Sequence, residues 1–187
     1  MEIKFDKFQK IVLVIIIFGF LCRLIPHPPN FSPVTAIALF GGLNFNDKRV
    51  AFLIPLLILF LSDLIIGISL INLFVYLGFI SVVLLGSQIK SIKFGNILLA
   101  SFLFFLISNF GVWILGYPKN LEGLLLCYTM AIPFLGYSIA GDLFFGYLFK
   151  FSFRKISSIL PEFSKIYFHS NIFGNNKIKI KLSIHNT

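Results

Sequence analysis

The chain reads as an all-α integral membrane protein, with six transmembrane helices in one compact bundle and a short second helix. Three observations predict this. Of its 187 residues 58% are hydrophobic and only 12% charged, whereas soluble domains carry about a quarter charged residues. Long apolar runs alternate with short polar turns. Lysine and arginine cluster at every second turn, as the positive-inside rule requires of a multi-pass protein.

A helix needs about 20 apolar residues to cross a hydrocarbon core of about 30 Å. Spans are accordingly placed at residues 10–25, 33–45, 50–70, 72–88, 95–115 and 123–149. The first follows Lys4, Lys7 and Lys10 and has no small-residue cleavage site behind it. Leu21 before Cys22 also spoils a lipoprotein box, so the segment is expected to stay as a span. The second has too few residues between Val34 and Leu43 to cross alone, so it starts partly inside the membrane or is re-entrant. The third and fourth meet in a very tight turn near Leu70 to Asn72. The sixth ends near Lys150, dividing a six-helix domain (1–150) from a basic tail (151–187) expected to lie on anionic lipid in the cytoplasm.

With six spans, all of the 16 Lys and Arg except Arg23 and Lys119 fall on one side. That places both termini in the cytoplasm. The net charge of +9 then orients the protein, and nucleic acid is not expected as a partner. Cys22 and Cys127 lack C-x-x-C spacing and neighbouring histidines, so no metal and no cofactor is expected. No H-E-x-x-H, G-x-S-x-G or phosphate-binding glycine loop occurs, and Asp63 and Asp142 are expected at opposite depths. An enzyme is not expected.

The stretch Arg23 to Gly42, R-L-I-P-H-P-P-N-F-S-P-V-T-A-I-A-L-F-G-G, concentrates four prolines and several polar side chains between apolar runs. Non-helical backbone at membrane depth is tolerated only where protein buries it or it lines a wet cavity. The segment therefore has the character of a cap over a binding site, with His27, Asn30, Phe31 and Ser32 as candidate contacts. Inside the spans, Arg23 lies about 18 Å along the first and Asp63 about 20 Å along the third, at about 1.5 Å per residue. A buried Arg23–Asp63 pair is predicted, either as an ion pair fixing helix packing or as a ligand contact. Asp142 is expected near the cytoplasmic boundary as an interfacial carboxylate. A polar seam with Ser138 and Gly146 is the other reading. Asn109 and Trp113 share a face of the fifth span, and with Tyr117 they suit either an aromatic interface belt or a ligand pocket. Ala38 with Gly42, and Gly136 with Ala140, have the small-residue spacing of closely approaching helices.

The run H-P-P-N-F-S-P-V-T-A-I-A-L-F-G-G (27–42), then I-P-L-L-I-L-F-L-S-D-L-I-I-G (54–67), F-F-L-I-S-N-F-G-V-W (104–113), Y-P (117–118), C-Y-T-M-A-I-P-F (127–134) and G-D-L-F-F (141–145) resemble a bacterial family of small, largely uncharacterised six-span transport proteins. That family is similar to the substrate-binding S components of energy-coupling-factor (ECF) transporters, BtuM-like members included. The resemblance covers roughly residues 20–148. It implies a six-helix vitamin-binding protein whose outward loops close over substrate, with Asn30, Phe31, Ser32, Asn109, Trp113 and Tyr117 lining the pocket. It also implies work with an ECF T component and two ATPases. The first span has no Ala-x-x-x-Ala docking motif, which favours solitary action or another docking face. Cobalamin is one possible substrate, with neither Cys22 nor Cys127 assigned to its cobalt. The expected function is uptake of a vitamin or similar micronutrient. The alternative is a small membrane scaffold without a ligand.

Overall fold

A computed structural model describes residues 7–159; the basic stretch 160–187 and residues 1–6 lie outside the described residues. Among the described residues there are six helices and no strand: α1 (Lys7–Leu24), α2 (Val34–Asn44), α3 (Lys48–Ile66), α4 (Ile71–Gln88), α5 (Phe94–Gly116) and α6 (Leu121–Ile159). Four of them, α3 to α6, are long and apolar enough to cross a membrane. The 18 residues of α1 include Lys7, Lys10 and Arg23. The 11 residues of α2 cover only about 16 Å.

Helix ends follow from local chemistry. Asp47 caps α3 by accepting a hydrogen bond from Arg49 N at 2.9 Å. The Lys48 ammonium donates to the carbonyls of Gly42 (2.7 Å) and Phe45 (3.0 Å), which the end of α2 leaves without helical partners. Gly67, at φ 123°, stops α3 at Ile66, so the connection to α4 runs over 67–70 and is longer than the tight turn expected from the sequence. Asn120 begins α6 by accepting from Gly123 N at 2.8 Å. Pro133 sits inside α6 without ending it. The helix runs on past Lys150 to Ile159, with Phe153 and Ser157 buried, so the first nine residues assigned to the tail continue the bundle's longest helix.

The shortest helix is the most enclosed. All eleven residues of α2 are buried, and α3, α4, α5 and α6 pack around it. It approaches α4 through glycine. A Cβ on Gly42 would strike the Val83 carbonyl, and one on Gly86 would strike the Leu39 carbonyl. The small pair Ala38 and Gly42 is thus used for packing inside the bundle. Gly136 and Ala140 lie on the outer surface of α6. Outside this core, Leu61, Leu64, Ile65, Phe102, Phe110 and Ile132 are all exposed, an apolar exterior suited to lipid.

Candidate functional site

The position of α2 along the bundle creates the site. Phe31 Cα and Ser32 N lie against Gly141, and the Thr35 hydroxyl faces Asp142. These residues stand about 30 Å along α6 from Leu121. At its other end α2 sets Phe40 against Phe149 and Phe153. The proline-rich segment therefore descends to the middle of α6, and α2 fills only one half of the interior. Above its first turn a half-open cavity of about 420 Å³ remains, walled by the end of α1, the α3–α4 connection and the start of α4, with Phe104 from α5.

One wall is a polar network. Arg23 Nη2 donates to Asp63 Oδ1 at 2.6 Å, and Arg23 Nε donates to Ser62 Oγ at 2.6 Å. The other carboxylate oxygen of Asp63 accepts from Asn72 Nδ2 at 2.7 Å and from Tyr76 OH at 2.9 Å. Asp63 is only 3% exposed, and its charge is met by a guanidinium and two neutral donors, as a buried carboxylate requires. The predicted Arg23–Asp63 pair is present. It is also the junction at which α1, α3 and α4 are tied together.

Of the residues expected to hold a ligand, His27, Asn30 and Ser32 line the cavity. Asn30 takes φ 63°, a left-handed conformation that asparagine tolerates, and so turns the chain downward into Ser32. His27 Nδ1 lies 2.6 Å from the Ile25 carbonyl and donates to it as Nδ1–H. Phe31 points elsewhere, its ring packing against Phe144 and Phe145 of α6.

Asn109, Trp113 and Tyr117 do not join the cavity. The Asn109 amide donates to the Phe105 carbonyl within its own helix at 2.8 Å. The Trp113 indole donates to the Pro118 carbonyl at 3.0 Å, and Lys119 Nζ closes the same turn on Trp113 O and Tyr117 O. These groups stabilise the α5–α6 connection. The second wall of the cavity is instead Asn72, Val75 and Phe79 of α4, which the sequence reading missed. Its one trace in the sequence is that Asn72 and Tyr76 stand one turn apart on one face.

Asp142 corrects a second expectation. It is not a surface carboxylate: it is 1% exposed and its Oδ2 accepts from Ser101 Oγ at 2.7 Å. The polar-seam reading fits better, and Thr35, which also lines the cavity, belongs to the seam. Among the described residues no group of three or more His, Cys, Asp or Glu is arranged to hold a metal ion. Cys127 is buried, with Sγ 3.6 Å from the Asn109 carbonyl, and Cys22 is half-buried.

The model of a family of unknown function, DUF6580, matches residues 4–162. No curated protein and no solved structure matches the chain.

Proposed function

We propose, for a chain that belongs to the DUF6580 family of unknown function, a solute-binding membrane protein of the ECF S-component type. A micronutrient enters the cavity above α2, the 25–33 segment folds over it, and the bundle delivers it inward. The protein carries out no chemistry on its guest. The observation that supports this reading is the cavity itself, a polar and aromatic space of about 420 Å³ held open by a helix too short to fill the bundle. Ligand sites typically measure about 300–1,000 Å³. At the lower end of that range the guest is a vitamin-sized molecule of one or two rings. A corrinoid such as cobalamin would have to lie across the mouth.

In this reading all six helices are embedded, α2 with its start at mid-membrane, in a bacterial inner membrane. Lys48, Arg49, Lys90, Lys93, Lys150, Arg154 and Lys155 lie at the end away from the cavity, which supports a cytoplasmic location for that end and for both termini. The cavity faces out. Energy comes either from a T component with its ATPases or from a source within the chain.

The test is native mass spectrometry of protein purified from its own membranes, followed by thermal melting with the molecule found. A guest at about 100 times its Kd adds about 2.7 kcal/mol of stability. Ser32→Ala and Asn30→Gly are expected to reduce that shift. Trp113→Phe is expected to leave it unchanged while loosening the 117–118 turn by about 1 kcal/mol. Wild-type protein that carries no small molecule, and melts unchanged with panels of vitamins, nucleobases and amino acids, would overturn the proposal.

A further inference from the structure

At the floor of the cavity the fold encloses a carboxyl group that the solute-binding reading does not use. Asp142 lies in the middle of α6, 1% exposed. Ser101 Oγ sits 2.7 Å from Oδ2. The Thr35 hydroxyl faces the same carboxyl, but at a geometry that leaves Oδ1 without a hydrogen bond. No cation stands beside it among the described residues. The helices packed against this part of α6 are α2, α5 and, through Phe18 on Phe145, α1, and neither Val34–Asn44 nor Phe94–Gly116 contains an ionisable side chain. The 25–33 segment brings only His27, held on the Ile25 carbonyl. From α1 come half-buried Cys22 and Arg23, and Arg23 is bonded to Asp63 and Ser62. On α6 itself Tyr137 is 45% exposed, and Lys150, two turns on, donates to Ile92 O and lies over Tyr147.

An ionised carboxylate sealed in the bundle interior with so few donors costs several kcal/mol. A proton removes the net charge. On Oδ1 it turns the bare acceptor into a donor for the Thr35 hydroxyl while Ser101 Oγ donates to Oδ2. On Oδ2 it donates to Ser101 Oγ, whose own proton then goes to the Ile97 carbonyl at 3.1 Å. Thr35 also stands in the cavity wall, which gives that proton a route to the cavity by rotation of one hydroxyl.

We propose that Asp142 is a proton-binding site that opens onto the cavity through Thr35, and that a solute in the cavity and a proton on Asp142 stabilise one another. The first half stands on the carboxyl alone; the second rests on the reading of the cavity as a solute site. A seated solute expels the water that would otherwise reach the floor and hydrate the ionised form, so it favours the protonated one. By reciprocity the proton strengthens solute binding. A proton gradient could then drive uptake without an ATPase.

Infrared spectra of the full chain in lipid at neutral pH test the site with protons as the only probe. The carbonyl stretch of a protonated carboxylic acid is expected in the wild type. It should be lost in Asp142→Asn and shifted in Ser101→Ala, which removes one hydrogen bond and keeps the acid. A wild type with only carboxylate bands would overturn the proton site, and a sodium-dependent shift of such a band would assign the place to a metal cation. For the linkage, the affinity of the solute found by mass spectrometry should fall by up to about tenfold per pH unit as Asp142 loses its proton, with a flat profile in Asp142→Asn. A flat wild-type profile beside an intact carbonyl band would overturn the linkage. Failure to find any solute would remove the transport reading and leave the infrared result standing.

Discussion

Asp63 makes more of its carboxylate than any other residue in the interior, because three helices use it at once. Arg23 of α1 holds one oxygen, and Asn72 and Tyr76 of α4 hold the other. Asp63→Ala therefore does two things: it leaves a guanidinium without its counter-charge and removes the acceptor of two further donors. The expected cost is about 3–5 kcal/mol, read as a lower melting temperature in detergent. A double replacement separates ion-pair strength from stranded charge. If most of that cost comes from an uncompensated Arg23, the Arg23→Met, Asp63→Leu protein should recover most of it, since a buried pair exchanged for apolar groups of similar volume is often neutral. Additive losses in the double variant would refute this account. Recovery of stability should come without recovery of solute capture, because both side chains also face the cavity.

At the scale of the element, α2 decides the architecture, and its contact with α4 is the tightest constraint. Gly42 meets the Val83 carbonyl and Gly86 the Leu39 carbonyl, backbone against backbone, so neither neighbour can rotate away. Gly42→Ala should cost at least the 1–3 kcal/mol of an overpacked core. Gly136→Ala, with nothing within 4 Å of the added methyl, should be neutral or stabilising by about 0.5–1 kcal/mol. Melting curves of the two variants that matched would show that the α2–α4 approach can relax. The shortness of α2 and the Arg23–Asp63 pair were both legible in the sequence. Too few residues separate Pro33 from Asn44 for a span, and two opposite charges at similar depth in apolar helices have little else to meet. The α4 wall was not legible, because Asn72, Val75 and Phe79 look like the ordinary start of an apolar helix. Asn109 and Trp113 stayed open between an interface belt and a ligand pocket, because a shared face says nothing about which way that face is turned. The burial of Asp142 was not legible for a different reason: its partners Thr35 and Ser101 come from two other helices, and α6 continues past Lys150 to Ile159.

At the scale of the whole molecule, two asymmetries run along the same axis. Polar side chains that line space, Arg23, Asn30, Ser32, Asp63 and Asn72, gather at one end, and among the described residues the other lysines and arginines, Lys119 excepted, gather at the other. The Thr35, Asp142 and Ser101 seam lies between them, and Asn44, 1% exposed with its Oδ1 unbonded, lies beyond it toward the basic end. A receptor that takes solute from one compartment and releases it into another needs such a polarity, but its direction depends on which end faces the cell interior. Single cysteines in a background lacking Cys22 and Cys127 decide it. Leu70 is 74% exposed on the α3–α4 connection beside the cavity, and Lys90 is exposed on the α4–α5 connection at the basic end. In intact cells a membrane-impermeant maleimide should modify Leu70→Cys and spare Lys90→Cys until the membrane is opened. The reverse pattern would turn the cavity toward the cytoplasm, and uptake would have to give way to export or to capture of an internal metabolite. Modification of both in intact cells would mean that the two connections share one face, and the six-helix crossing itself would fall.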